Sequence, residues 1–255
     1  MRNFIKYFYC ILFITLLIFI NSCTKTSTSN SLPEINAENN KSVGASANDL
    51  LSSSKYNTLK IEIQYMPGFQ PDAASISNLT SFANTLVNKP NGVTITQTQI
   101  AATGKTSLTL NEIASIEQTN RTAITSGNQI SVYFLFTDAN YSQANVLGIA
   151  YRNTSMCIMG KTIKDNTGGI GQTSKAKLET TVLEHELTHL LGLVDIGSPM
   201  QTNHKDAAHG NHCSNTNCLM YYSSETTDVL GFLVTGNIPT LDANCRADLT
   251  ANGGK

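Results

Sequence analysis

The feature that most constrains this chain is the run His185-Glu186-Leu187-Thr188-His189, near the end of a predicted amphipathic helix. Residues four apart on an α-helix point the same way, about 6 Å apart along the axis. His185 and His189 can therefore bind one metal ion through imidazole nitrogens, which are common zinc ligands. Glu186 lies next to the first histidine and can take a proton from a metal-bound water. The spacing predicts a zinc site with an open catalytic position.

A third ligand is expected from the residues that follow the helix. Gly192 lets the chain leave the helix through a left-handed turn. Asp195 comes three residues after this glycine, and because a carboxylate is an acceptable zinc ligand, Asp195 is the first candidate. His212 and His204 are the alternatives, with His209 in the same polar loop. Together with the two helical histidines, these are all five histidines of the chain.

These residues resemble the metzincin group of zinc endopeptidases, whose signature is HExxHxxGxx(H/D) followed by a Met-turn. Asp195 in the third-ligand place is similar to the snapalysin branch. The later run His212-Cys213-x4-Cys218-x-Met220 instead resembles the archaemetzincin pattern, in which that histidine directly follows Gly-x-x and is itself the third ligand. Here it comes about 17 residues later. The arrangement also resembles bacterial lipoproteins described as membrane metalloproteases.

The resemblance implies an α+β fold: a mixed twisted sheet with packed helices, a zinc helix, and a small C-terminal subdomain with the Met-turn and a terminal helix. The predicted order of strands and helices agrees with such a layered domain. The resemblance further implies that one zinc ion serves peptide-bond hydrolysis, with Glu186 as general base. Met220 would form a hydrophobic floor under the metal, and Tyr222 would contact the zinc or the transition state. Residues 149–155 are predicted as an edge strand that binds a peptide or protein substrate.

A second function is compatible with the same scaffold. A surface binding protein could keep the metzincin fold and hold a zinc ion that serves structure alone. Glu186 discriminates between the two, because a structural zinc site needs four closed ligands and no general base. The presence of Glu186 favours the enzyme.

The N-terminus predicts export. Residues 1–22 have the form of a signal peptide, in which Arg2 and Lys6 precede an apolar stretch, Ile11–Ile20, that is shorter than the roughly 20 residues of a membrane-spanning helix. The small residue before Cys23 loosely resembles a bacterial lipobox, which implies cleavage there and a lipid on that cysteine. An ordinary secretory signal is the alternative. The residue after the cysteine is not the aspartate associated with inner-membrane retention, which favours the outer membrane.

The remaining chain divides near residue 55. Residues 23–55 are rich in Ser, Thr and Asn without apolar periodicity, which predicts a flexible tether. Residues 56–255 have the length and patterning of one domain, the predicted catalytic domain. The formal charge is −1 and no basic block occurs, which argues against a nucleic-acid partner. A monomer that touches the membrane through its N-terminal lipid is expected.

Four cysteines remain when the signal peptide and the lipid site are set aside, an even number with three possible pairings. Cys213 and Cys218 form the easiest local bridge, which leaves Cys157 with Cys245. Archaemetzincins use Cys-x4-Cys and a later Cys-x-x-Cys for a second, structural zinc, but here Asp248 stands three residues after Cys245. Disulfides are therefore expected rather than a second zinc ion.

Overall fold

The computed structural model describes residue 32 and residues 34–255. The predicted signal peptide, residues 1–22, and the predicted lipid site, Cys23, lie outside the described residues. Within the described part of the chain, no helix has the length and apolar character needed to cross a membrane.

A five-stranded sheet forms the centre of the domain. The strands are β1 (Thr58–Tyr65), β2 (Val93–Gln99), β3 (Ser107–Leu108), β4 (Gln129–Phe136), β5 (Asn140–Tyr141), β6 (Gly148–Arg152) and β7 (Ser155–Ile158). The sheet order is β2-β1-β4-β7-β6, and β3 pairs separately with β5. The central pairs are parallel, whereas β6 runs antiparallel to β7 at the edge of the sheet. An edge strand leaves one row of backbone groups free for another strand.

Helices cover both faces of the sheet. They are α1 (Ala47–Leu51), α2 (Ala73–Leu86), α3 (Leu110–Asn120), α4 (Gly160–Asp165), α5 (Lys175–Leu190), α6 (Val229–Thr235) and α7 (Ala243–Ala251), with 3-10 turns at Ala37–Asn39 and Tyr222–Glu225. The larger apolar cluster packs α2 and α5 on one face, and the smaller one packs α3 on the other. Because side chains alternate along a strand, β4 supplies residues to both clusters.

These elements confirm the predicted α+β fold class. Residues 149–155, predicted as an edge strand, extend from β6 through a turn to the first residue of β7, and β6 is the edge strand. The short helices α4 and α6 were not predicted, because fewer than eight residues carry too little periodicity to be detected.

The structure differs from the predicted tether over residues 34–55, which belong to the folded domain. Asn39 is fully buried, and its side-chain amide donates hydrogen bonds to the hydroxyls of Thr125 and Thr154. Asn153, in the turn between β6 and β7, accepts a hydrogen bond from the backbone of Lys41 at 3.0 Å. The first part of this segment docks through side-chain hydrogen bonds, which leave no apolar pattern in the sequence. The short helix α1 then adds Leu50 and Leu51 to the larger apolar cluster, but five residues are too few to show a helical period.

Candidate metal centre

Helix α5 presents two histidines to one point. It begins at Ser174, whose side chain caps the first turn, and it is buried over most of its length. His185 and His189 lie one turn apart, with their Nε2 atoms 3.1 Å from each other. Their Nδ1 atoms lie 2.8 Å from the carbonyl oxygens of Leu219 and Leu193, respectively. A carbonyl only accepts, so each Nδ1 carries the proton and each Nε2 offers a lone pair.

A third histidine joins them from the loop that follows α5. The Nδ1 of His212 donates to the His209 carbonyl at 2.7 Å, and its Nε2 is buried without a hydrogen-bond partner. The His212 ring lies 5.3 Å from the His185 ring and 5.1 Å from the His189 ring, measured between centroids. Glu225 completes a group of four residues whose ligand atoms all lie within 4.8 Å of one another. Three nitrogens and a carboxylate oxygen are donors that zinc accepts.

One of the three imidazoles, that of His189, is held in the neutral form that binds metal. Burial, and then the neighbouring His185, lowers the pKa of His189 to about 3. Burial also disfavours charge on His212, but the nearby Glu225 carboxylate outweighs it and raises the pKa of His212 above its usual value. The Nε2 lone pairs of these rings face each other in a buried site. Such an arrangement costs free energy unless a cation lies between the nitrogens. The residues present therefore fit a zinc ion.

The loop that carries the third histidine depends on one glycine. Gly192 has φ +94°, and a Cβ there would lie 2.4 Å from the backbone nitrogen of Ser198. Its carbonyl accepts hydrogen bonds from the amides of Ser198 and Ile196, at 3.0 and 3.1 Å. The loop thus closes tightly on itself just after the helix, where only glycine fits.

Asp195, the first candidate for the third ligand, does not reach the two helical histidines. Its side chain is 45% exposed, and its carboxylate lies 3.6 Å from the Lys205 amine. The tight closure at Gly192 turns this residue away from the helix, and the chain returns only at Asn211, whose carbonyl accepts from the Val194 amide at 3.1 Å. The residue after Asn211 is the third histidine of the group, which was the first alternative in the sequence.

Glu186 is fully buried beside this group. Both of its carboxylate oxygens lack a hydrogen-bond partner of ordinary geometry. Edge strand β6 lies against it: a Cβ on Gly148 would be 2.7 Å from Oε1 of Glu186. Burial, and then the Glu225 carboxylate, raises the pKa of Glu186 well above its usual value, although the Ala150 amide opposes this. Burial beside a second carboxylate thus favours the protonated form of Glu186 as long as no cation is bound nearby.

The segment after the third histidine contains the predicted Met220 and Tyr222. Met220 is fully buried, and it follows Leu219, whose carbonyl accepts from the His185 ring. Tyr222 does not join the metal group; its ring stacks on His209, with centroids 3.7 Å apart. Glu225, three residues further on, is in the group and was missed in the sequence. A glutamate five residues after Met220 belongs to no recognisable sequence motif.

The group opens into a cleft of about 370 Å³. One side is formed by β6 at the sheet edge, and another by the loop that holds the third histidine. Val43, from the segment predicted as tether, forms part of the wall. The lining residues are Val43, Ile149, Ala150, His189, Ile196, His209, Gly210, Asn211, His212 and Glu225. The metal group therefore faces a surface groove bordered by an unpaired strand edge.

A second group of potential ligands surrounds His204. The Nδ1 of His204 lies 3.3 Å from Cys213 Sγ and 3.9 Å from Cys245 Sγ. Cys218 Sγ is 3.6 Å from Cys245 Sγ. The other ring nitrogen of His204 lies 2.8 Å from the Asp248 carboxylate, which leaves Nδ1 to face the sulfurs. Asp242, next to Cys213, forms with His204, Cys213 and Cys245 a group whose ligand atoms all lie within 4.8 Å of one another, and Cys218 adjoins this group through Cys245.

The predicted disulfides are absent: the four described cysteines are all free thiols. Cys157 lies in the apolar cluster on the α3 face of the sheet, whereas Cys245 lies in the cluster on the opposite face. The sheet separates them, so they cannot form the predicted bridge. Cys213 and Cys218 instead lie with Cys245 around His204, in an arrangement of sulfur and nitrogen donors.

No protein-family model and no curated protein matches this sequence. Among solved structures, the chain is similar to the archaemetzincin from Methanopyrus kandleri, with a TM-score of 0.50 and 14% identity over 77% of this chain and 96% of that one. It also matches metalloproteinase-II from Bacteroides fragilis, with a TM-score of 0.44 and 13% identity, over 79% of this chain and 54% of that one. The similarity to the archaemetzincin shows a common fold.

Proposed function

We propose that this protein is an exported, lipid-anchored zinc endopeptidase. One observation carries the proposal: three imidazoles, each oriented by an Nδ1–carbonyl hydrogen bond, point their Nε2 atoms at one centre beside the buried carboxylate of Glu186. The archaemetzincin-like fold supports it. The export signal and the lipid anchor rest on residues 1–23 of the sequence alone.

His185, His189 and His212 would hold the catalytic zinc. When bound, the ion supplies a water of lowered pKa and polarises the peptide carbonyl. Glu186, fully buried beside the three histidines, would accept a proton from the attacking water and deliver it to the leaving amine. Its burial excludes competing solvent from the carboxylate.

The substrate is proposed to bind as an extra strand along β6. Ile149 and Ala150 of this strand border the cleft, and the free edge offers backbone hydrogen bonds to an extended peptide of any sequence. Strand addition holds a peptide by its backbone and does not require a free chain end. This supports cleavage within a chain rather than at its end.

The direct test is cleavage of a mixed peptide library by soluble residues 24–255, with and without a chelator, together with zinc analysis of the same sample. We expect internal peptide bonds to be cut and the chelator to stop cleavage. Bound zinc without cleavage of any peptide would favour the alternative, a binding protein with a non-catalytic metal. Folded protein without zinc would refute the metal assignment.

The third ligand can be tested separately by metal content. His212→Ala is expected to lower catalytic zinc affinity by at least about tenfold, because it removes one of three imidazoles from the ion. Asp195→Ala is the matched control and should bind zinc as the unmodified protein does, since its carboxylate faces Lys205. The measurement is zinc retention against a competing chelator. The opposite ranking of the two variants would restore Asp195 as the ligand.

We also propose that His204, Cys213, Cys218 and Cys245 hold a second, structural zinc ion. Zinc–sulfur bonds of about 2.3 Å in a tetrahedron put sulfurs roughly 3.8 Å apart, close to the 3.6 Å between Cys218 and Cys245. Asp248 stands where the archaemetzincin pattern has its last cysteine. Its carboxylate instead orients His204, which supplies the fourth ligand from the loop after α5.

A further inference from the structure

We propose that the Glu225 carboxylate is a fourth ligand of the catalytic ion in the resting protein, and that a peptide seated along β6 displaces it. This inference rests on the proposed function, because it concerns how that metal site is closed and opened. It goes beyond the three-histidine site, in which the fourth position belongs to water.

The distances place the carboxylate where a fourth ligand belongs. Its oxygens lie 3.5 Å from the Nε2 of His212, 3.6 Å from that of His185 and 3.9 Å from that of His189. In a tetrahedral zinc site with bonds of about 2.0–2.1 Å, neighbouring ligand atoms lie roughly 3.4 Å apart. Glu225 thus stands over the face of the triangle formed by the three nitrogens.

The orientation of the rings makes this contact a ligand arrangement, because each ring turns its Nε2 atom toward the carboxylate of Glu225. Each of the three imidazoles already donates its Nδ1 proton to a backbone carbonyl. In the neutral rings the Nε2 atoms are therefore acceptors, as is a carboxylate oxygen. Four acceptors converging on one point repel each other unless a cation joins them. A divalent ion bound by all four is the arrangement that satisfies every group.

Two features indicate that Glu225 leaves the ion when substrate binds. Its side chain is 29% exposed in the cleft, whereas those of His185 and His189 are 0% and 9% exposed. The 3-10 turn that carries it is tied to the start of β6, since the Glu225 carbonyl accepts from the Leu147 amide at 2.8 Å. A peptide that adds to β6 therefore arrives beside this carboxylate. Glu186, which a permanently closed structural site would not need, remains in position behind it.

The test is the binding of acetohydroxamate, a small zinc-chelating ligand, measured by calorimetry on the zinc-loaded protein. Glu225→Gln keeps the shape of the side chain and removes its charge. If the carboxylate occupies the fourth position about nine-tenths of the time, its loss raises hydroxamate affinity about tenfold. Asp195→Asn removes the same charge from a nearby loop position outside the group, and it should change the affinity less than twofold. Zinc content should be the same in all three proteins.

Two results would overturn the inference. Equal hydroxamate affinity in Glu225→Gln and the unmodified protein would mean that the carboxylate is not on the ion. Loss of one zinc per chain from Glu225→Gln would mean that it is a permanent ligand and not a displaceable one. A wrong proposed function would give a different result. In that case the unmodified protein and both variants would neither retain catalytic zinc nor bind hydroxamate.

Discussion

Replacing Glu186 with glutamine is expected to lower peptide cleavage by about 10²- to 10⁴-fold, the usual contribution of a general base. The zinc content should not change, because the three proposed ligands are imidazoles on other positions. Glutamine has the same shape but cannot accept the water's proton. Cleavage rate and zinc per chain are measured on the same preparation.

Glu184→Gln provides a matched control for this substitution. Glu184 lies one position before His185 on the same helix, is nearly buried, and has its pKa raised to about 8 by burial. It is therefore largely uncharged at neutral pH, and an amide is a close replacement. It lies outside the metal group, so cleavage should stay near that of the unmodified protein. Full activity in Glu186→Gln would contradict the proposed role of Glu186.

Helix α5 and its two histidines could be predicted because their signal is local. Two histidines four residues apart, a glutamate between them and a glycine at the helix end lie within eight residues, and helical geometry alone brings the histidines together. The central strands were predictable for the same reason. Apolar residues alternate with polar ones in β1, and they form an almost continuous run in β4, over eight positions in each strand.

The rest of the site depends on how the loop after α5 closes, which no local pattern encodes. Asp195 has the spacing of a ligand, but the hydrogen bonds from Ser198 and Ile196 to the Gly192 carbonyl direct the chain away. A hydrogen bond from the Val194 amide to the Asn211 carbonyl brings the next residue, His212, beside the two helical histidines. Spacing fixes direction only within regular structure, so a ligand beyond such a loop must be found from the fold.

The role of the cysteines could not be predicted from a local pattern either. Their even number and the predicted export favoured disulfides, but pairing requires proximity, and the sheet separates Cys157 from Cys245. His204 was considered only for the catalytic ion, because the sequence places it nearer to that motif than to Cys245. The second cluster is assembled from three separate segments of the chain.

Cys245→Ser is expected to remove one zinc ion per chain and to lower the free energy of unfolding by about 4 kcal/mol when free zinc is 1,000 times its Kd. A serine oxygen is a poor substitute for a thiolate ligand, and Cys245 contacts both Cys218 and His204. Zinc stoichiometry and denaturant unfolding at fixed free zinc measure the two effects. Cys157→Ala is the control, which removes a buried thiol from the other face and should leave zinc content unchanged.

A titration of thiols in unfolded protein without reductant separates this result from a disulfide. Four reactive thiols in residues 24–255 agree with a zinc cluster, whereas two or none would restore the paired cysteines. Two zinc ions retained by Cys245→Ser would contradict the ligand assignment.

Loss of the second zinc ion should also weaken metal binding at the proposed catalytic site. Cys213 directly follows His212, and its amide donates to the Met220 carbonyl at 2.8 Å, next to Leu219, which orients the His185 ring. The second cluster, with His204 before His212 and Cys213 after it, therefore fixes the chain on both sides of this proposed ligand. Cys245→Ser is expected to weaken catalytic zinc binding although Cys245 itself lies outside that group. Unchanged affinity of the remaining ion would mean that packing alone holds His212 in place.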